Sequence, residues 1–415
     1  MLRAMIAVVL VGGFSSCVLA QGVAPMPAPA GQEAAGAHAR AAAMIDKSIA
    51  YLRSQQDQGS GGWAVNPQGP NFPAVTGLVV SGMLMDPRID DSDPKVAMGV
   101  KFMLGYAQPD GGIYDKILPS YNTAICLAAL SQVSTPPQVA DVVKKAQEFL
   151  RTLQYGEEAV VHEGSDESAK PVTKEDPFYG GAGYGRHGRP DLSNLAWVLE
   201  GLHASGVDSK DAAFQRALVF LQRTQMVEVK DGVKINDMAY AKGSRQGGFI
   251  YATSVDRERV GVGQSMAGEI EETLSDGTTA SRLRAYGSMT YSGFKSYLYA
   301  GLRRGDPRMV AAMEWISRNY TLEENPGLGT DGMYYYYVVF ARAMDAYGEP
   351  TISTIKADGT NESRRWAQDL VDRLAKLQNE DGSFKSVDDR WMENNPVLIT
   401  AYALIALQHA EKDLR

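Results

Sequence analysis

Carboxylates beside turns are the first residues in this sequence that could do chemistry. Asp110, Asp331 and Asp381 each stand directly before a glycine. Asp191 lies between the third and the fourth of the Gly-rich turns described below. Two carboxylates that converge on a sugar could act as acid and base in glycan hydrolysis. Asp before Gly is also typical of tight turns and helix N-caps, and the pattern favours that role for the three Asp-Gly residues. If the chain is an enzyme, Asp191 and Asp331 are the candidate catalytic residues.

Aromatic residues form the second chemically informative group. Their π faces can bind cations and apolar ligands, or their rings can fill a core. The run Tyr334 to Tyr337 covers every direction of a helix, so at least one hydroxyl should face inward. Asp331, one turn earlier, could accept a hydrogen bond from Tyr334 or Tyr335. The candidate ligand-binding residues are Tyr114, Tyr184, Trp197, Tyr286, Tyr291, Tyr334, Tyr335, Trp391 and Tyr402. The alternative is that most of these rings are core residues that pack adjacent helices.

Metal-ligating and nucleophilic residues form no recognisable pattern. The five histidines show no ligand spacing such as His-Glu-x-x-His. The segment Gly263-Gln264-Ser265-Met266-Ala267 lacks the final Gly of a nucleophile elbow. Cys126 lies in an apolar helix, where a small core residue is expected. We therefore predict neither a metal nor a cofactor.

Composition excludes several classes of protein. The chain has 415 residues, 44% of them hydrophobic, and a formal net charge of −8. A negative chain is a poor partner for nucleic acid, because that binding relies on neutralising phosphates. With 2 Cys the chain can have neither a disulfide framework nor a Cys-rich zinc module.

The N-terminus has the features of a targeting segment. Arg3 precedes the apolar run Met5 to Val11, and small residues end at Ala20. This predicts a secretory signal peptide over residues 1–20 and an exported protein, periplasmic or extracellular. A lipoprotein attached through Cys17 is the alternative. Residues 21–38, rich in Ala, Pro and Gly, are expected to form a flexible leader. No later stretch is apolar enough to span a bilayer.

A repeated unit occupies the rest of the chain, residues 39–412. Six Gly-rich turns with nearby aromatics are centred on Gly61, Gly111, Gly180, Gly247, Gly332 and Gly382. The shortest spacing between them is about fifty residues, which is typical of a helix-pair repeat. In each pair an amphipathic helix precedes one that is apolar almost all round and must be buried on all sides. Alternation of six half-exposed and six buried helices predicts two concentric rings, an all-α (α/α)6 barrel, or alpha-alpha toroid.

Three polar stretches interrupt the repeat, at residues 156–176, 227–245 and 253–284. Because all three lie in connections between helices, we expect them to gather around one mouth of the barrel. Loops carried by a rigid scaffold often hold functional residues, and solvated surface elaboration is the alternative.

The repeats resemble those of the terpenoid cyclase and protein prenyltransferase superfamily, with squalene-hopene cyclases as the nearest type. The resemblance covers about residues 40–410 and rests on the Gly-Gly-aromatic turns after helices such as Tyr51 to Gln56. It also rests on the segments Met289 to Gly301, Asp331 to Val338 and Asn395 to Leu407. It implies the toroid fold and a central cavity for a hydrophobic ligand.

The catalytic motifs of that superfamily are altered in this chain. Class II cyclases protonate an alkene with the middle Asp of an Asp-x-Asp-Asp-Thr-Ala motif. The matching segment begins at Asp191, but Ser193 stands at the donor position and Asn194 at the last Asp. Prenyltransferases hold zinc with Asp, Cys and His. Asp331 matches the carboxylate, whereas Met333 and Ile399 replace the Cys and the His. A single carboxylate cannot hold zinc.

Together these features predict an exported toroid that binds or processes a terpenoid or lipid-like ligand in an aromatic-lined cavity. The expected partner is a hydrophobic small molecule or extended chain. Two alternatives stay open. One is a diverged terpenoid cyclase whose acid is Asp191 or Asp331. The other is a non-catalytic scaffold that binds a protein or a glycan while side chains fill its centre.

Overall fold

The computed structural model describes residues 30–64, 71–157, 171–185, 189–255, 263–356, 358–386 and 388–415. The signal peptide predicted over residues 1–20 and most of the acidic stretch within 156–176 lie outside these residues.

Two concentric rings of helices form the described part of the chain, which confirms the predicted (α/α)6 toroid. The outer ring consists of α1 (Ala30–Gln55), α3 (Pro94–Leu104), α5 (Val139–Thr152), α7 (Ala212–Thr224), α9 (Pro307–Asn319) and α11 (Trp366–Ala375). The inner ring consists of α2 (Pro73–Leu84), α4 (Pro119–Leu130), α6 (Leu192–Ala204), α8 (Gly287–Tyr299), α10 (Met333–Tyr347) and α12 (Pro396–Leu414). Each inner helix packs against the next, and α12 closes the ring on α2.

Hydrophobic patterning explains which helices lie inside. In α5 the buried residues are Val139, Ala146, Phe149 and Leu150, and all five charged residues of the helix lie outside this set. In α2 every residue from Val75 to Met83 is buried. A helix with a single apolar stripe can face solvent, whereas one without a polar face must be enclosed.

Glycine turns fasten each helix pair to the next outer helix. Gly61, Gly111, Gly180, Gly247 and Gly382 have φ between 82° and 92°. A Cβ built on Gly247 would lie 2.2 Å from the carbonyl oxygen of Ala311 in α9, so glycine is required there for space as well as for conformation. Gly332 also lies in a turn between the two helices of its pair, but it is the N-cap residue of α10. The turn equivalent to the other five is closed by the bridge between Asn325 and Gly329.

Side chains complete these turns. Gln225 Nε2 donates to the carbonyl oxygens of Gly247 (2.8 Å) and Arg308 (2.9 Å), and so ties the turn to the start of α9. The amide of Phe249 donates to Thr290 Oγ1 at 3.1 Å. Equivalent threonines accept in the same way from the turns that precede α2, α4 and α12, and they are Thr76, Thr123 and Thr400. These hydroxyls therefore mark the outward side of the inner helices.

Two features of the fold differ from the prediction. Helix α1 begins at Ala30, inside the segment 21–38 predicted to be flexible, because its alanines favour helix and Ala37 is fully buried. Three antiparallel hairpins, β1 (Val229–Lys230) with β2 (Val233–Lys234), β3 (Glu269–Thr273) with β4 (Thr279–Leu283), and β5 (Ile352–Ile355) with β6 (Asn361–Arg364), decorate the toroid. Each hairpin turn contains an Asp-Gly pair, a hairpin feature present in the sequence.

No helix in the described residues is long and apolar enough to cross a membrane.

Candidate functional site

The inward faces of the inner helices can be read from the outward threonines. Two residues along an α-helix turn it by about 200°, so the residue two places before each threonine points toward the barrel axis. In α2, α4, α8 and α12 these residues are Ala74, Tyr121, Ser288 and Leu398. In α6 and α10 they are Ser193 and Tyr335, if Leu195 and Tyr337 stand in for the threonine. Ala74, Tyr121 and Tyr335 are partly exposed, whereas Ser193, Ser288 and Leu398 are buried.

Hydrogen bonds confirm that these positions meet. Tyr121 Oη donates to Ser193 Oγ at 2.6 Å, and Ser193 Oγ lies 2.9 Å from Tyr335 Oη. Tyr402 of α12 packs edge-on against Tyr335, with ring centroids 6.3 Å apart. We call the part of the barrel axis that Ala74, Tyr121, Ser193, Tyr335 and Tyr402 approach the axial hollow. Two cavities of about 320 and 270 Å³ lie elsewhere, beside Met309 and Trp315 of α9.

A second hydroxyl chain runs along its rim. Tyr184, 45% exposed, packs against Tyr121 with ring centroids 5.8 Å apart. Tyr184 Oη lies 2.9 Å from Tyr251 Oη, and Tyr251 in turn donates a hydrogen bond to the Asp191 carboxylate. Ser193, which matches the donor position of the cyclase motif, therefore presents a hydroxyl to the hollow. Asp191 lies beside it, next to Tyr251 and Tyr184.

Asp191 is the N-cap residue of α6. Its Oδ1 accepts from the Asn194 amide at 2.8 Å and its Oδ2 from Asn194 Nδ2 at 2.7 Å. Burial raises the pKa of Asp191 to about 6, against these hydrogen bonds and the one from Tyr251. A carboxylic acid with a raised pKa is a weaker acid than free aspartic acid, so this environment disfavours the protonation of an alkene.

The ionisation of Asp191 predicts a pH effect on stability. The pKa of Asp191 in the folded state exceeds the unfolded value of 3.8. The contribution of Asp191 to the free energy of unfolding is therefore complete below about pH 4 and is lost as the pH rises through about 6. In Asp191→Asn, which keeps a good N-cap residue, this loss of up to about 3 kcal/mol should disappear. Urea unfolding of both proteins at pH 4, 5, 6 and 7 measures it. Parallel pH profiles for the two proteins would contradict the raised pKa.

Asp331 has a different environment from the one predicted. Its Oδ2 lies 2.5 Å from Arg390 Nη1, and the pair is partly exposed. It accepts no hydrogen bond from the tyrosine run: Tyr334 Oη donates to the carbonyl oxygen of Lys385, and Tyr335 Oη lies beside Ser193. A carboxylate neutralised by a guanidinium at the rim is poorly placed to act as an acid, so the structure favours a rim ion pair for Asp331.

The other two Asp-Gly carboxylates form turns, as predicted. Asp110 Oδ1 accepts from the Gly112 amide at 3.0 Å, and Asp381 Oδ1 accepts from the Ser383 amide at 3.0 Å.

Only some of the predicted ligand-binding aromatics come together. Tyr184, Tyr335 and Tyr402 border the axial hollow. Trp197 follows Ser193 by one turn of α6 and so lies below it on the inward face. Tyr286 is the buried N-cap residue of α8.

The remaining four rings pack elsewhere. Tyr114 stacks on Phe149 of the outer helix α5. Tyr291 packs edge-on against Phe340, and Tyr334 packs edge-on against Phe384 of an outer turn. Trp391, 46% exposed, lies on the rim under the Arg390 guanidinium, 4.4 Å from its ring centroid. For Tyr291 and Tyr334, which lie on inner helices, the direction of the side chain around the helix decides this, and the sequence run of tyrosines does not reveal it.

Two groups of charged residues were not predicted. Glu393 accepts from the amides of Tyr334 (3.1 Å) and Tyr335 (2.8 Å) at the start of α10, and burial raises its pKa to about 7. Glu200, Lys295 and Arg342 are buried on the inner helices. The sequence feature that could have identified these three is a charge inside an otherwise apolar helix, at the same repeat position in three consecutive units.

No group of three or more His, Cys, Asp or Glu within the described ranges is arranged to hold a metal ion. At the position of the prenyltransferase Cys and His the chain carries Met333 and Ile399, both buried.

Known structures share this architecture. The sequence matches no protein-family model and no curated protein. A variant of the type II terpene cyclase MstE from Scytonema, in complex with geranylgeranyl dihydroxybenzoate, superposes with a TM-score of 0.51 at 13% identity over 91% of this chain and 99% of the other. The α-1,6-mannanase of Salegentibacter sp. HEL1_6 gives 0.53 at 10% identity over 90% and 100%. An α-amylase from Clostridium perfringens gives 0.52 at 11% identity over 92% and 99%.

Identities this low show the fold alone. The chain has the (α/α)6 toroid fold that these terpene cyclase, mannanase and amylase structures also have.

Proposed function

We propose that this protein binds an elongated, largely apolar ligand in the axial hollow. The observation that carries the proposal is the state of Tyr121, Tyr335 and Tyr402. These rings are partly exposed on inner helices that are mostly buried. The hydroxyls of Tyr121 and Tyr335 are hydrogen-bonded to Ser193, so an apolar partner would meet rings whose polar atoms are already satisfied.

The terpene cyclase neighbour supports a hydrophobic ligand, because it binds a geranylgeranyl-substituted substrate in the same fold. The inherited reaction is not part of the proposal, since a serine hydroxyl occupies the donor position and Asp191 is a weakened acid. Export through residues 1–20 is part of the proposal and rests on the sequence pattern.

The glycan-hydrolysing alternative is less well supported by the geometry. Asp191 and Glu393 are the buried acids beside the hollow, and each caps the N-terminus of an inner helix. Their oxygens already accept backbone amides, so neither is free in the way that a pair of converging acid and base requires.

Filling the hollow should abolish binding. Ala74→Trp places an indole among the tyrosines, and we expect it to weaken the binding of geranylgeraniol by about tenfold or more, because the ligand and the indole compete for the same space. Ala97→Trp is the matched control, since Ala97 is exposed on the outer helix α3. Isothermal titration of the delipidated proteins measures the affinities, and circular dichroism confirms that each variant is folded.

The proposal fails if the wild-type protein does not bind geranylgeraniol or longer polyprenols. It also fails if the folded Ala74→Trp variant binds as tightly as the Ala97→Trp control.

A further inference from the structure

A charged layer lies below the axial hollow. Five residues after the outward threonine position, α6, α8 and α10 carry Glu200, Lys295 and Arg342. These residues follow Ser193, Ser288 and Tyr335 by seven positions, which is two helical turns, so they lie on the same inward faces about 10 Å further along the axis. The side chains of all three are at most 10% exposed. We call this layer the charged floor.

The contacts within the floor leave one cation without a hydrogen-bond acceptor. Lys295 Nζ donates to Glu200 Oε2, and Tyr299 Oη lies 3.3 Å from the same oxygen. Arg342 Nε is 3.7 Å from Glu200 Oε1, beyond hydrogen-bond distance. Within the described residues, Arg342 Nε and Nη1 are buried and have no hydrogen-bond partner.

The charges of the floor do not balance. Two cations, Lys295 and Arg342, share the single carboxylate of Glu200. The next acid along α10, Asp345, is occupied by other groups: His409 Nδ1 at 2.8 Å and Lys412 Nζ at 2.9 Å. One positive charge in the floor is therefore uncompensated, and a buried guanidinium strongly favours an anionic acceptor.

Arg342 is also held in place for such a contact. Its guanidinium carbon lies 4.8 Å from the ring centroid of Trp197 on the neighbouring inner helix. Contact with the indole restricts the movement of the guanidinium, whose Nε and Nη1 atoms lie on different edges and both lack an acceptor. Each can donate a charge-assisted hydrogen bond, for which a carboxylate oxygen is a good acceptor.

We propose that Arg342 binds the carboxylate of an amphipathic ligand whose apolar body extends from the charged floor to the tyrosines of the axial hollow. The inference rests on the proposed function and specifies its ligand as a long-chain monocarboxylic acid. A single negative charge matches the one uncompensated cation, whereas a phosphate dianion would leave an excess negative charge in a buried layer.

Paired ligands test the proposal. Palmitic acid and hexadecanol have the same chain and differ in the acidic group, and their affinities are measured by isothermal titration at pH 8. We expect the wild-type protein to prefer the acid by about tenfold or more, because hydrogen bonds to a charged group are strong. Arg342→Gln should abolish this preference and leave hexadecanol binding within about twofold. Arg342→Lys, which keeps the charge but loses the fork geometry, should retain part of the preference.

Arg40→Gln is the matched control. Arg40 is exposed on α1 and pairs with Asp372, so its loss should leave the preference unchanged. Circular dichroism and thermal melting show whether the Arg342 variants are folded.

Equal wild-type affinities for the two ligands would overturn the carboxylate site and leave the hydrophobic-ligand proposal standing. An undiminished preference in Arg342→Gln would have the same consequence. Failure of the wild-type protein to bind either ligand would overturn both.

Discussion

Replacement of Gly247 by Ala should destabilise the toroid by more than about 4 kcal/mol. The Cβ would lie 2.2 Å from the carbonyl oxygen of Ala311 and 2.9 Å from its carbonyl carbon, and both are backbone atoms of α9. Backbone in a packed helix cannot yield as a flexible side chain can, so the turn and the helix must separate. Separation also weakens the hydrogen bonds that Gln225 makes to Gly247 and Arg308. The free energy of unfolding in urea measures the effect.

A second glycine separates the effect of space from that of conformation. Gly206 has φ 82°, close to the 89° of Gly247, but a Cβ built there meets nothing within 4 Å. Gly206→Ala should therefore show only the left-handed penalty of about 1 to 2 kcal/mol. Equal losses in the two variants would mean that the contact with Ala311 is not what requires glycine at position 247.

Removal of the Glu200 carboxylate should destabilise the folded state by about 3 to 5 kcal/mol, because Glu200→Gln leaves Lys295 and Arg342 buried without a counter-charge. Lys295→Met is the informative comparison. Met has a side chain of similar length to Lys but no charge, and Glu200 keeps Arg342 and Tyr299 as neighbours in this variant. We therefore expect the free energy of unfolding to fall by less than about 2 kcal/mol. Urea unfolding at pH 7 measures both. Similar losses in the two variants would show that Lys295, and not the net charge of the floor, governs its stability.

The Glu200 carboxylate should also make the free energy of unfolding sensitive to acid. Burial opposes its ionisation, but the charges of Arg342 and Lys295 outweigh burial and lower the pKa of Glu200 to about 2. Since the folded-state pKa is below the unfolded value of 4.5, this contribution is complete above about pH 4.5 and is lost as the pH falls toward 2. Glu200→Gln should therefore show a flatter stability profile over that range than the wild-type protein.

Prediction from the sequence succeeded where the signal is periodic and local. The repeat spacing and the alternation of half-exposed and apolar helices predicted the two rings, and five of the six glycine turns have the expected role. The turn at Gly332 is not the equivalent of the other five, because Asp-Gly near an aromatic residue is also found at a helix N-cap and local composition does not distinguish the two. The start of α1 was not predicted because residues 21–38 mix helix-favouring alanines with prolines and glycines, and their overall composition does not show that the helix begins at Ala30.

The candidate site was less predictable, because it depends on direction and on neighbours from distant units. Tyr334 and Tyr335 are adjacent in sequence, yet one packs against an outer turn and the other faces the axis. Asp191 and Asp331 were equal candidates, but Asp191 is buried under tyrosines whereas Asp331 meets a guanidinium 59 residues away. Each difference arises from a contact between units that no local pattern encodes.

For this protein, the sequence by itself determined the helix pairs, their alternation and which residues stand at the positions of the two catalytic motifs that the chain resembles, because residue identity and helical period are properties of the chain alone. The tertiary structure alone decided which side chains share the axis. The packing of α6 on α8 and of α8 on α10 brings Glu200, Lys295 and Arg342 from three repeats into one buried layer, in which Arg342 Nε and Nη1 have no acceptor. Sequence patterns do not show this imbalance, because the ionic and hydrogen-bonding state of a buried group is set by the few atoms around it.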